Sequence, residues 1–88
     1  MTAPEVCQYV NQALANEYVY QPPLRYELRY TALSARHVRE DMWEVSVKVI
    51  AEPQRLSEGR WAATPLFETK TYVEQYYFCE TTGALTKR

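Results

Sequence analysis

The chain has 88 residues, 47% apolar, 24% charged and 14% aromatic, with two glycines. That composition fits one folded domain, because a second core cannot be buried at this length and a disordered chain carries less apolar content. Ten basic and eleven acidic side chains leave a net charge of −1, which excludes wholesale electrostatic binding to nucleic acid or an anionic membrane while leaving room for a local basic patch.

The first residues, Met1-Thr2-Ala3-Pro4-Glu5, lack the basic and apolar regions of a signal peptide. No run approaches the roughly 20 apolar residues of a membrane span. The expectation is a cytoplasmic protein with no membrane partner.

Residues 2–16 read as a helix. Ala3, Val6, Cys7, Val10, Ala13 and Leu14 recur at three- and four-residue steps and share a face. Thr2 and Glu5 have capping-box spacing, and Pro4 falls in a first turn that tolerates it. Asn16 is a plausible end. Tyr18-Val19-Tyr20 then leads into Pro22-Pro23, which holds the chain extended.

Residues 24–33 alternate as a half-buried strand. Tyr26, Leu28, Tyr30 and Ala32 point one way, Arg25, Glu27, Arg29 and Thr31 the other. Residues 34–41 are polar and read as a connection. Residues 42–51 alternate again, with Trp43, Val45, Val47 and Val49 on one face. Pro53 is read as the end of that strand, and residues 52–65, with Gly59, Pro65 and Trp61, as a long loop. Residues 66–79 read as the last strand. It sets Tyr72, Tyr76 and Phe78 against Val73, Tyr77 and Cys79. Thr81-Thr82-Gly83 makes a turn, and residues 84–88 a short tail. The fold class expected is α+β: one domain over residues 1–88, with an N-terminal helix on a three- to four-stranded antiparallel meander.

The closing segment Tyr76-Tyr77-Phe78-Cys79-Glu80-Thr81-Thr82-Gly83-Ala84-Leu85, with Trp43-Glu44-Val45-Ser46-Val47 before it, resembles the PepSY domain. Glu80 stands where that family usually carries an Asp. The resemblance implies a helix-on-meander fold and an extracytoplasmic or membrane-linked interaction domain with a peptidase-inhibiting role. Cystatin-like folds show the same element pattern, and fold alone does not fix function.

The residues offer no catalytic signature. There is no Gly-rich phosphate loop and no nucleophile elbow. Cys7, Cys79 and the single His37 match no zinc spacing, so neither a metal nor a cofactor is expected. Two buried thiols are the simple reading of the cysteines. A Cys7–Cys79 disulfide, or a Cys79–His37 nucleophile and base, is the alternative.

Two surfaces remain as candidates. Eight Tyr and two Trp exceed what one small helix can cover. Ile50, Val73 and Tyr77 on the face away from the helix, with Trp61 in the loop, could therefore pack on a second copy or another protein. The competing reading folds the loop over that face. The other surface is basic and aromatic: Arg25, Arg29, Arg36, Arg39 and Lys48, with Tyr77, could grip single-stranded nucleic acid. Cross-strand ion pairing would explain the same charges. The reading carried forward is a non-enzymatic interaction module, homodimeric or bound to another protein.

Overall fold

A computed structural model describes residues 1–88. One helix, α1 (Ala3–Ala13), precedes six strands: β1 (Glu17–Gln21), β2 (Leu24–Arg39), β3 (Met42–Ser57), β4 (Arg60–Ala63), β5 (Lys70–Cys79) and β6 (Leu85–Lys87). All pairings are antiparallel. The fold is α+β as expected, but the sheet has six strands rather than three or four. Its order is β1-β2-β3-β5-β6, and β4 joins the same side of β3 beyond the end of β5.

The helix starts where the capping box places it. Thr2 Oγ1 accepts from the Glu5 amide at 3.4 Å, and the Thr2 amide donates to Glu5 Oε1 at 2.8 Å. It ends at Ala13 and not at Asn16, because residues 14–16 cross over to begin β1. Val6 and Val10 are fully buried. They pack on Trp43, Val45 and Val47 of β3 and on Tyr76 and Phe78 of β5. Asn11 ties the helix to the edge of β2 by accepting the Ala32 amide at 2.7 Å.

Four readings need correction. Tyr18-Val19-Tyr20 is not a lead-in but the middle of β1, which pairs with β2 from Glu17↔Leu28 to Gln21↔Leu24. All five residues of β1 are exposed, so no alternation marks it. Residues 34–39 belong to β2, which passes a bulge at Leu33 and continues to Arg39. Pro53 lies inside β3. Its carbonyl accepts the Thr64 amide at 3.2 Å, so its backbone groups point toward the gap between β4 and β5. A missing N–H there costs no ladder bond.

The fourth correction concerns residues 52–65, which form no loop over the sheet. They are the ends of a hairpin, β3 and β4, closed by Glu58 (φ 53°) and Gly59 (φ 76°). Two successive positive φ angles match the twist of a two-residue hairpin. The last strand correspondingly begins at Lys70. Leu66 and Phe67 precede it and stay exposed. The tail is not free either, since β6 pairs with Tyr76, Tyr77 and Phe78.

β3 has 16 residues, about 53 Å of strand. α1 has 11, about 16 Å of helix. The helix therefore covers one end of the sheet only. The molecule measures 51 × 20 × 19 Å, with a radius of gyration of 15.6 Å against about 12 Å for a compact chain of this length.

Candidate functional site

Direct register pairs share a face. That fixes which side each candidate residue occupies. The helix side carries Tyr26, Leu28 and Tyr30 of β2, Val45 to Pro53 at odd numbers of β3, and Tyr72, Glu74, Tyr76 and Phe78 of β5. The far side carries Arg25, Arg29, Lys48, Ile50, Val73 and Tyr77.

The expected partner surface is divided by the structure. Ile50, Val73 and Tyr77 lie on the far side, where Val73 faces Lys48 and Ile50 faces Thr71 across the ladder. Val73 is 53% exposed. Trp61 is not with them. It pairs with Leu56 in the terminal hairpin, six residues along β3 from Ile50, or about 20 Å. It shares the far side, since Leu56 has the parity of Gln54 and Arg25, but it stands at the other end of the sheet, packed toward Arg25 and Tyr20.

The expected nucleic-acid face is largely neutralised. Arg29 bonds Glu27 at 2.6 Å and Glu52 at 3.1 Å. Arg36 bonds Glu44 at 3.2 Å, and Arg88 reaches the same carboxylate. The Arg29 hydrogen bond, with a lesser one from Tyr18, holds the Glu27 carboxyl below its usual range. Lys48 and Arg39 make no ion pair. Arg39 lines a shallow cleft with Val38, Met42 and Tyr77 at the β2–β3 tip.

Arg25 differs from the other cations. Its Nε donates to Gln54 Oε1 at 2.7 Å, and Gln54 is buried. The guanidinium lies 4.2 Å from the Tyr18 ring centre and 4.7 Å from that of Trp61. Tyr20 meets Trp61 edge-on at 6.0 Å. No carboxylate is paired with Arg25.

The thiols take separate places. Both are free. Cys79 donates to Asp41 Oδ2 at 3.2 Å on the far side. Hydrogen bonds from Thr81 and then Cys79 hold the Asp41 carboxyl below its usual range. Cys7 is on the helix, and burial pushes its thiol up. His37 faces Trp43 on the helix side, with ring centres 5.0 Å apart. Cys79 has neither Cys7 nor His37 as a neighbour, so the sulfur–sulfur and sulfur–imidazole pairings considered from the sequence do not form. No group of three His, Cys, Asp or Glu side chains is placed to hold a metal.

Two features were not anticipated. First, the helix side of the sheet runs on beyond α1. Val19, Tyr26, Leu28, Ala51 and Tyr72 line an open trough of about 290 Å³ there, with Lys70 at its rim. Tyr72 is 43% exposed and Val19 41%. Strand alternation supplied these faces, but helix length set against strand length was the signal that one would go uncovered. Second, β6 covers β5 only at Tyr76–Phe78, and Arg88 extends that contact by donating to the Gln75 carbonyl. The edge from Lys70 to Glu74 has no strand partner. No helix is long and apolar enough to cross a membrane.

Comparison of the chain with protein-family models, curated proteins and solved structures returns no match.

Proposed function

We propose that this chain is a non-catalytic interaction module that associates with a second copy of itself. The observation that carries the reading is the sheet outrunning its helix. An apolar, tyrosine-rich trough is left on the helix side, and it adjoins an unpaired strand edge through Tyr72, which belongs to both. Uncovered apolar faces and open edges are where chains associate. Tyr suits such a surface because its ring buries while its hydroxyl stays wet. Size-exclusion chromatography with light scattering tests the reading at up to about 100 μM, a range that detects association of about −5.5 kcal/mol or tighter. A dimer mass is expected. A monomer across that range overturns it.

A second reading, single-stranded nucleic-acid binding, draws on Arg25. A guanidinium lying against two rings and bonded to a buried glutamine, with Tyr20 alongside, offers a stacking surface beside a cation that no salt bridge engages. It moves the basic site from the row of arginines read in the sequence to one end of the sheet. Fluorescence anisotropy with an oligothymidylate is the test. Salt-sensitive binding that is lost in Arg25→Ala supports this reading, and absence of binding at about 50 mM salt removes it.

A further inference from the structure

We propose that the second copy docks on the free edge of β5, antiparallel to its own counterpart, with the two-fold axis passing through Tyr72. This rests on the self-association reading and names its surface.

The backbone of β5 is oriented for it. Cys79 donates to the Ala84 carbonyl and Arg88 donates to the Gln75 carbonyl, each at 2.9 Å. The odd-numbered residues of β5 therefore turn their backbone groups toward the β6 side. On the uncovered stretch those residues are Thr71 and Val73. Their N–H and C=O groups line the open edge.

Register follows from symmetry. A two-fold axis normal to the sheet keeps each copy's helix side on the same side. Facing residues must then share parity, and the axis must pass through a residue. Centring on Tyr72 sets Thr71 against the partner's Val73 as a hydrogen-bonded pair. It also sets Lys70 against the partner's Glu74, opposite charges on the same face. Tyr72 meets its own copy at the non-hydrogen-bonded position, where side chains approach most closely. Centring on Val73 instead would set Lys70 against Tyr76, an edge that β6 already occupies. Centring on Thr71 would leave Glu74 facing Glu68, a like-charge pair.

The lengths agree. The free edge runs from Lys70 to Glu74, the stretch this register pairs. At its far end β6 takes over, and there the partner's chain leaves the strand, since β5 begins at Lys70. Glu74 is already paired with Lys87, so its carboxylate would lie between two cations. Both copies of Tyr72 would face the helix side, joining the two troughs into one.

Among the other open edges are β2 beyond Leu28, which is bulged at Leu33 and tied to α1 where Asn11 takes the Ala32 amide, and β1. Self-pairing centred on Val19 would set Glu17 against Gln21 and Tyr18 against Tyr20, with no charge complementarity.

Three variants, read beside the wild-type mass, test the edge. Val73→Pro removes an outward N–H that β3 does not use, so the far-ultraviolet spectrum and melting are expected to survive while the dimer is lost. Lys70→Glu is expected to weaken the dimer about tenfold or more, because two symmetric pairs become repulsive. In a Cys7→Ser/Cys79→Ser background, Tyr72→Cys is expected to form an interchain disulfide under mild oxidation, because facing Cα atoms fall within disulfide reach. A wild-type dimer that persists in Val73→Pro and does not cross-link through Tyr72→Cys overturns the β5 edge and leaves self-association through another face. A monomeric wild type overturns both.

Discussion

The Trp43 indole donates to Glu80 Oε2 at 2.9 Å, tying β3 to the residue just past β5. The other Glu80 oxygen takes the Met1 amino group at 2.5 Å. One carboxylate thus joins the start of the chain, the buried tryptophan and the turn before β6. These hydrogen bonds, the amino group's first and then the indole's, hold the Glu80 carboxyl below its ordinary range.

That has a consequence in acid. A carboxyl whose folded pKa is depressed stabilises the fold above its unfolded value, here 4.5, and the contribution is lost as pH falls through the folded pKa. Glu27, Glu5 and Asp41 are shifted the same way. Melting temperature is expected to be flat from neutral pH to about 5 and to fall below about 4.5. Glu80→Gln should flatten part of that fall. Calorimetry across the range checks it, and an unchanged slope in Glu80→Gln would show that Glu80 contributes none of it.

Tyrosine ionisation sets the alkaline limit. Burial first, and then the Glu17 carboxylate, pushes the Tyr30 hydroxyl above its ordinary value of 10.0. Burial first, and then Glu74, does the same to Tyr76. A raised folded pKa stabilises fully below the unfolded value and loses that contribution as pH climbs past it. Stability is therefore expected to decline above about pH 10. The Tyr30→Phe variant should decline less steeply, as followed by circular dichroism.

Gly83 and Gly59 separate two costs of adding a side chain. Both have positive φ, 74° and 76°. A Cβ at Gly59 would meet nothing within 4 Å, whereas one at Gly83 would sit 2.7 Å from the Tyr9 hydroxyl. Gly59→Ala is expected to cost about 1–2 kcal/mol for the left-handed backbone alone. Gly83→Ala should cost more, and Tyr9→Phe should narrow the difference, because the next atom lies at 3.5 Å. Urea denaturation of the three single variants and of the Gly83→Ala/Tyr9→Phe double variant is the measurement.

Phe78 is the largest fully buried side chain, 1% exposed, with Tyr9 at 5.0 Å between ring centres. Phe78→Ala is expected to cost about 3–5 kcal/mol. Only 12 of 88 residues are buried, so few other contacts can compensate. Loss of cooperative thermal unfolding in this variant is the expected result.

Strand alternation was legible where one side of the sheet is covered. Tyr26 to Ala32 and Trp43 to Val49 take the faces their spacing assigns. β1 escaped notice because all five of its residues are exposed, which leaves hydrogen bonds to β2 but no alternating pattern. Pro53 misled because a proline reads as a strand end. Its tolerance depends on a gap between β4 and β5 that only the assembled sheet creates. For the candidate surfaces, the sequence placed Ile50, Val73 and Tyr77 on one face. Trp61 shares that face but stands at its other end, because residues 52–65 form a hairpin and not a loop, and the carboxylates that neutralise Arg29 and Arg36 became visible only with the register.

β3 is flanked along nearly its whole length, by β2 on one side and by β5 and then β4 on the other. Its amides cannot be released by peeling away a terminal element, as those of β1 or β6 can. In deuterated solvent its central amides should therefore exchange last, at a rate set by global unfolding, while β1, β4 and β6 exchange through local opening. The strand flanked on both sides is thus the slowest clock of the chain.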